Sequence, residues 1–304
     1  MMAWASPTPS DCGLLRRATF TALPVLWAAL GWCQASLPMP VSVVELPPEL
    51  HEVSALTALN DESAACLHDE AATLYFVDLS DGRITARHPF GPPGDLEGLT
   101  RMGDAFFALR SDGLVYRIAA RQGRYAAVDS FRLMLPYRNI EGLGYDPIDG
   151  RVLVAPKDPQ KGGPSVRDKR EVFAFDPATS ALQMTPVLTF SVNQVLRSAQ
   201  AQGVKIPMRT TGKGKPVPLV KLHMSAIAVQ PATGQYFILS ATDQALLVLD
   251  RSGGYVALHL LDPKLLPQPE GITFLPNGDM LIATEGKDGV PRIVRYRLAS
   301  REEP

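Results

Sequence analysis

The chain of 304 residues lacks most of the features by which common classes of protein are recognised. Its 30 basic and 31 acidic residues leave a net charge near −1, which excludes the strongly basic surface of a typical nucleic-acid-binding protein. It contains no G-x-S-x-G nucleophile elbow, no phosphate-binding P-loop, no dinucleotide fingerprint and no zinc-ligand spacing. Helical periodicity is nearly absent, so we expect mostly short strands joined by turns.

Cysteine is scarce, and long apolar runs are absent from most of the chain. Of the three cysteines, Cys12 and Cys33 lie near the N-terminus and Cys66 lies in the body. An isolated cysteine is usually a small buried hydrophobic residue, so no disulfide is expected within the body. No apolar run beyond residue 35 reaches the length that spans a membrane, which argues against a transmembrane segment there.

The N-terminal segment has the pattern of a secretory signal peptide. Arg16 and Arg17 precede an apolar run over 18–32, and small residues occupy positions −3 and −1 of a cleavage point after Ala35. We therefore interpret 1–35 as a signal peptide and 36–304 as one exported domain, periplasmic or extracellular. An uncleaved anchor and lipidation at Cys33 are the alternatives that this pattern leaves open.

A four-residue phrase recurs along the body and is the most informative signal in the chain. It consists of Glu or Ser, a small residue, Leu or Ile, and another small residue. Its copies begin at Ser54, Glu97, Glu141, Ser225 and Glu270. The intervals are 43, 44, 84 and 45 residues, and a nearly constant period of this size is typical of propellers. Turns rich in proline and glycine follow several copies in phase, and β-rich runs follow the turns.

These repeats predict an all-β fold, a five-bladed β-propeller with four strands in each blade. The last unit, from Glu270 onward, is one strand short, while the β-rich run from Val41 to Leu46 has no partner near it in sequence. We expect this N-terminal run to be the outer strand of the last blade, because that pairing removes an open sheet edge.

The 84-residue interval is too long for one blade. We predict two insertions in the third blade, at about 159–170 and 190–220. In the second insertion, Ser191 and Gln194 form a capping box, and apolar residues from Val192 to Ala199 keep a helical spacing, so a short helix is expected. A sixth, degenerate blade is the alternative explanation of the interval.

The repeat phrase opens the innermost strand of each blade, so the first residues of its copies should meet at one mouth of the central channel. The turns between the second and third strands of a meander lie at the same end. The candidate metal ligands at this mouth are Glu97, Glu141, Glu270, Glu285 and Asp112. Carboxylates gathered around one axis repel one another unless they are protonated or bind a cation, and oxygen ligands favour Ca²⁺ over Mg²⁺. Turn aspartates can instead bond their own turn backbones.

Two histidines, His68 and His223, share this mouth by the same register. They are the candidate catalytic residues, because a histidine beside a carboxylate can activate water as a general base. A packing or surface role is the alternative for each of them. A solvated insertion is the interpretation of the basic residues Arg209, Lys213, Lys215 and Lys221.

Four stretches of the chain resemble the SdiA-regulated family of exported bacterial proteins: ELHEVSAL at 49–56, FGPPGDLEGL at 90–99, SDGLVY at 111–116 and PEGITFLPNG at 269–278. The likeness covers about 41–298 apart from the insertions, and looser versions of these motifs occur in NHL-repeat and esterase-like propellers. The resemblance implies a five-bladed propeller with a bound calcium ion and no settled activity. Ser54 and Ser225 stand where the pattern has Glu, so the ring is not acidic at these two positions.

Two functions follow as hypotheses. The first is a calcium-binding module of the cell envelope, whose ligand, a small molecule or an envelope component, binds at the acidic mouth. The second is a calcium-dependent hydrolase of the esterase, lactonase or phytase-like kind, in which the metal polarises the substrate and His68 or His223 is the base. The lack of an evident base in the sequence favours the binding module.

Overall fold

Five four-stranded antiparallel sheets dominate the computed structural model, which describes residues 37–298. Each of the first four sheets uses strands that are consecutive along the chain, so each is a simple meander. This architecture confirms the predicted all-β, five-bladed propeller. The predicted signal peptide at 1–35 lies outside the described residues.

The strands are short and begin with β1 at Ser42–Glu45. The first blade contains β2 to β5, at Val53–Ala58, Ser63–His68, Thr73–Asp78 and Ile84–Pro89. The second contains β6 to β9, at Leu96–Met102, Ala105–Arg110, Leu114–Arg121 and Arg124–Arg132. The third contains β10 to β13, at Ile140–Asp146, Arg151–Pro156, Lys169–Phe175 and Leu182–Ser191.

Later strands complete the propeller. A small hairpin between the third and fourth blades consists of β14 and β15, at Met208–Thr210 and Pro216–Pro218. The fourth blade contains β16 to β19, at Ala226–Val229, Tyr236–Ser240, Ala245–Leu249 and Tyr255–Leu260. The last contains β20 to β22, at Pro269–Phe274, Met280–Thr284 and Arg292–Tyr296.

The N-terminal strand β1 closes the last blade. It pairs antiparallel with β22, with Ser42 opposite Arg295 and Val44 opposite Ile293. Backbone hydrogen bonds continue past both ends of the strand, from the Val41 amide to Arg295 and from the Leu46 amide to Pro291. The closure predicted from the orphan run at 41–46 is therefore confirmed, and β22 has no open edge.

The two predicted insertions contain two helices and the small hairpin: one helix lies within the third blade, and the other helix and the hairpin lie in the connection to the fourth blade. Helix α1 (Pro164–Asp168) separates β11 from β12, and helix α2 (Val192–Ala201) follows β13. The Ser191 hydroxyl accepts a hydrogen bond from the Gln194 amide at 3.1 Å, so the predicted cap and helix are confirmed. Strands β12 and β13 each reach two residues into the predicted insertions, because they pair there. Residues 37–298 form no sixth blade.

Apolar side chains fill the spaces between neighbouring blades. Leu56 and Cys66 of the first blade, for example, lie in one buried cluster with Leu281 of the last. Cys66 is a free cysteine, as predicted, and burial raises the pKa of its thiol to about 12, so it is unreactive at neutral pH. Among residues 37–298, no helix is both long and apolar enough to cross a bilayer.

The inner strands β2, β6, β10, β16 and β20 form a closed ring, each in contact with the inner strands of the two neighbouring blades. The small residue at the second position of the repeat phrase allows neighbouring inner strands to pack closely against each other. A Cβ atom on Gly98 would lie 2.7 Å from the Glu141 carbonyl oxygen, and one on Gly271 would lie 2.6 Å from Leu56. Real Cβ atoms do not tolerate such distances, so glycine is required at these two positions, whereas alanine stands at the equivalent positions 55 and 226.

We expect Gly98→Val to lower the free energy of unfolding by about 1–3 kcal/mol or more, because the new side chain overpacks the crossing of β6 and β10. Gly212→Val is the matched control, since a Cβ atom at Gly212 would meet no atom within 4 Å; its effect should stay within about 0.5 kcal/mol. Urea denaturation measures both. Equal losses for the two variants would show that the inner-strand crossing does not require glycine.

Candidate functional site

A β-bulge interrupts four of the five inner strands at the same position of the repeat. In β6, Leu96 pairs with Arg110 and Gly98 pairs with Leu109, which leaves Glu97 as the extra residue. The equivalent bulges in β2, β10 and β20 have as their extra residues Ser54, Glu141 and Glu270. A bulge re-aims the side chain of its extra residue and strengthens the local twist. The first residue of the repeat phrase is therefore turned out of the regular sheet pattern in these four blades.

The bulges bring three of the predicted metal ligands together. Glu97, Glu141 and Glu270 all line one cavity of about 10 Å³ at the centre of the propeller, roughly the size that holds a single water molecule. Apolar residues of the same inner strands complete its wall, among them Leu56, Leu99, Leu143 and Ile272. Glu141 and Glu270 are only 2% and 7% exposed. The cavity is therefore acidic, narrow and largely removed from solvent.

One of these carboxylates is paired with a lysine. The Lys157 ammonium lies 2.7 Å from Glu141 Oε1, and the Asn139 side-chain amide donates to the same oxygen at 3.1 Å. The other oxygen, Glu141 Oε2, is buried without a hydrogen-bond partner, as is the Ser54 hydroxyl. A buried polar atom without a partner is costly unless a bound ion or water satisfies it.

Burial and mutual repulsion shift these carboxylates toward their neutral forms. Burial raises the pKa of Glu97 to about 9, and the charges of Glu141, Asp95 and Glu270 add to the shift. Burial likewise raises the pKa of Glu270 to about 8, with repulsion from Glu141. The pKa of Glu141 is also raised by burial, against the opposing effect of Lys157. The site thus resists the accumulation of uncompensated negative charge.

The other two predicted ligands do not line this cavity. Asp112 is held by Arg110 at 2.7 Å and by Arg132 at 3.1 Å, and its hydrogen bond with Arg110 keeps the pKa of Asp112 well below its usual range. Glu285 is half-buried after β21; burial raises its pKa to about 7, and repulsion from Asp69 adds to the shift. Their roles as metal ligands stay predictions.

His68 lies in a second cluster of titratable groups, with Glu52 and Asp69. Its Nε2 is 3.7 Å from Glu52 Oε2, and its Nδ1 is 2.9 Å from Asp69 Oδ1. Within residues 37–298, this trio is the one group of metal-ligating side chains whose ligand atoms all lie within 4.8 Å of one another. The oxygens of Glu97, Glu141 and Glu270 are farther apart, so a shared ion there needs side-chain rotation or a bridging water.

His223 lies in a different place, in a large cleft between the rim of the third blade and its insertion. Its Nδ1 is 2.7 Å from Asp158 Oδ1. The cleft has a volume of about 980 Å³ and is lined by residues of the third blade, α1, α2 and β15. It adjoins the acidic cavity through Asn139, which lines the cleft and bonds Glu141. The two candidate bases therefore belong to separate sites.

Sequence reasoning missed two cations of this region. Lys157 was recognisable only as part of a turn at the mouth, and its pairing with Glu141 depends on side-chain direction at the end of β11. Arg170 carried no signal, because it lies in a segment predicted as an insertion. It is 3% exposed and cross-links the insertion to the chain near His223.

The fold is shared with several solved structures. The chain is similar to the glutaminyl cyclase of Myxococcus xanthus, at 14% identity and a TM-score of 0.54 over 85% of this chain and 94% of that one. The RRP9 WD40 repeats match at 9% identity and a TM-score of 0.51, covering 87% and 100% of the two chains.

A PQQ-bound aldose sugar dehydrogenase from Streptomyces coelicolor matches at 13% identity and a TM-score of 0.48, covering 86% of this chain and 99% of that one. No protein-family model and no curated protein matches the chain. At such low identities the structural likeness shows the fold alone, and the chain is a β-propeller.

Proposed function

We propose that this protein is a calcium-binding β-propeller that binds a small molecule at the acidic mouth of its channel. The observation that carries the proposal is the buried cavity where bulges direct Glu97, Glu141 and Glu270 toward one small space. The unpartnered Glu141 Oε2 supports a missing positive partner there.

Charge and ligand chemistry favour a hard divalent cation. Lys157 compensates Glu141, which leaves the negative charges of Glu97 and Glu270 when both are ionised. Carboxylate and hydroxyl oxygens suit Ca²⁺, whose shell is larger and more flexible than that of Mg²⁺ and includes water. When bound, the ion would neutralise the mouth and present open coordination positions to a ligand.

A binding role fits the arrangement without further assumptions. The cleft beside the cavity is large enough for a small organic molecule, since ligand pockets typically measure about 300–1,000 Å³. The propeller scaffold occurs in proteins of unrelated function, so the fold does not select a reaction. We also propose export, on the signal-peptide pattern of 1–35, and membership of the SdiA-regulated family, on the motifs at 49–56 and 269–278.

A calcium-dependent hydrolase is the second candidate, and the His223–Asp158 contact favours it. Asp158 can orient the His223 imidazole, and the histidine faces a cleft of substrate size. A histidine held by a carboxylate can take a proton from water during attack on an ester or phosphate ester. A bound cation would supply polarisation of the substrate oxygen.

Calcium should raise the melting temperature of the protein, because a ligand that binds only the folded state stabilises that state by mass action. At calcium concentrations about 100-fold above Kd, the stabilisation is about 2.7 kcal/mol, or about 5–10 °C in a domain of this size. We expect Glu141→Gln with Glu270→Gln to abolish this rise in differential scanning fluorimetry.

The control for that experiment is Glu62→Gln with Asp104→Asn, which removes the same charge from two exposed positions. If the cavity variant keeps the full calcium response, the proposed site is wrong. Glu52→Gln with Asp69→Asn then tests the cluster around His68, the other group of ligands at this mouth.

The calcium-free protein should lose stability as the pH rises. Glu97 and Glu270 have folded pKa values of about 9 and about 8, above the ordinary 4.5. Their protonated forms favour the folded state fully below pH 4.5, and this contribution is lost as the pH rises through the folded values. We expect Glu97→Gln to reduce the fall in Tm between about pH 5 and 9 by about 2 °C or more. Glu62→Gln, at an exposed position, should leave the pH profile unchanged.

The hydrolase candidate predicts turnover of a lactone, an aryl ester or a phosphate ester in saturating calcium. His223→Ala should then lower kcat by about 10²–10⁴-fold, the usual contribution of one general base. His259→Ala, in the outer strand β19 and outside the cleft, should leave kcat unchanged. Absence of turnover above buffer for all three substrate classes would eliminate the hydrolase and leave the binding module.

A further inference from the structure

The large cleft beside the channel has a strongly cationic wall. Five of its lining residues are basic, and two are acidic, Asp158 and Asp168. Both acidic groups have partners in the structure: Asp158 contacts His223, and Asp168 accepts hydrogen bonds from the Ser191 hydroxyl and the Asn193 amide at the start of α2. The basic residues of the wall are Arg138, Lys161, Arg167, Arg170 and Lys221.

None of these five cations is paired with a carboxylate inside the described part of the chain, where no carboxylate oxygen lies within 4.0 Å of their charged groups. Arg138, Lys161, Arg167 and Lys221 are exposed, so their positive charges face the solvent of the cleft. The wall therefore carries an excess of positive charge although the whole chain is nearly neutral. Such a concave, single-signed surface attracts ligands of opposite charge.

Arg170 adds a buried charge behind this wall. Its guanidinium donates to four backbone carbonyls, those of Arg167, Lys169, Lys221 and Leu222, and to no carboxylate. Carbonyl dipoles satisfy its hydrogen bonds but leave its net charge in place. Asp158, Asp168 and Asp243 also act on this charge electrostatically. Because a buried charge is weakly screened, Arg170 still attracts an anion in the cleft.

The segment that carries Lys221 and His223 into the cleft is held in a strained conformation. Leu222, buried between them, has a φ of +54°, a backbone conformation that costs energy in a residue other than glycine. Arg170 binds the carbonyls of this segment, and the Asp243 carboxylate accepts from the amides of Lys221 and His223. Strain of this kind persists where the surroundings fix it, and it commonly accompanies a binding site.

The cleft also offers an apolar surface. Tyr137 and the exposed Pro136 and Pro164 line it, together with Val192 and Leu196 of α2, which are only 7% and 4% exposed. A ligand that fits both the cationic wall and the apolar lining has an apolar or ring-shaped body and at least one negative group. Without the negative group the basic side chains would lack a partner, and without the apolar body the apolar lining would face a polar ligand.

We propose that this cleft binds an organic anion, with its carboxylate or phosphate group toward Arg167 and Lys221 and its apolar body against Tyr137 and Pro164. This inference rests on the proposed binding function and names the chemical class of the ligand. It also gives the exposed Lys221, predicted only as part of a solvated insertion, a place in the cleft wall.

The experiment measures binding of 1-naphthyl phosphate, 1-naphthoate and the uncharged 1-naphthol to the calcium-loaded protein by isothermal titration calorimetry. We expect at least one anion to bind about tenfold or more tightly than 1-naphthol, and to weaken as salt is raised. Preference between the two anions distinguishes a phosphate ligand from a carboxylate ligand, and either preference supports the proposal.

The variant Lys161→Ala, Arg167→Ala, Lys221→Ala should weaken binding of the preferred anion by about tenfold or more. The matched control is Lys205→Ala, Arg209→Ala, Lys213→Ala, which removes three exposed charges from the second insertion, outside the cleft. Equal binding of the anions and 1-naphthol, no binding of either anion, or equal weakening by the two variants would each overturn the proposal.

The two proposals fail separately. Loss of the anion preference with an intact calcium response in melting temperature would reject the anion site alone. Anion binding that persists in a protein without any calcium response would reject the calcium site alone, because Lys161, Arg167 and Lys221 do not line the acidic cavity.

Discussion

The crossing of five inner strands around one axis is the constraint on which the rest of this structure depends. Gly98 and Gly271 have no room for a Cβ atom where they meet the neighbouring inner strand, and Gly142 has none against Ala155 of β11 in its own blade. The same short phrase contains the bulge residue immediately before each of these glycines. Close packing and the orientation of the acidic side chains therefore come from adjacent positions, which explains why the phrase recurs as a unit.

The electrostatics of the molecule follow from this geometry. Converging strands bring Glu97, Glu141 and Glu270 into a space with little water, and burial raises their pKa values because the charged forms lose hydration. Lys157 offsets one of the three charges. In the part of the chain that the structure describes, the other two carboxylates have no such positive partner, and this local excess of negative charge is the physical basis for proposing a cation in a chain whose overall charge is close to zero.

The insertion of the third blade places charge of the opposite sign beside the acidic cavity. Arg170 and Asp243 hold the strained segment around Leu222 from its carbonyl and amide sides, so that Lys221 and His223 keep fixed positions. A cation in the channel and a cationic cleft wall next to it would both attract an anionic ligand. This combination would make the insertion, and not the repeated blades, the source of ligand specificity.

Five blades, the closure by 41–46, the capped helix and the acidic mouth could be predicted from the sequence, because a repeat of about 44 residues, turn residues and helix caps are visible in the order of residues along the chain. The exclusion of a sixth blade within 37–298 and the set of predicted ligands that meet came from the folded structure. A one-residue bulge changes side-chain direction through strand pairing, so the convergence on Glu141 and the separation of Asp112 depend on contacts distant in sequence. The cleft with Arg170 was hidden for the same reason: its walls come from segments that meet only in the folded chain.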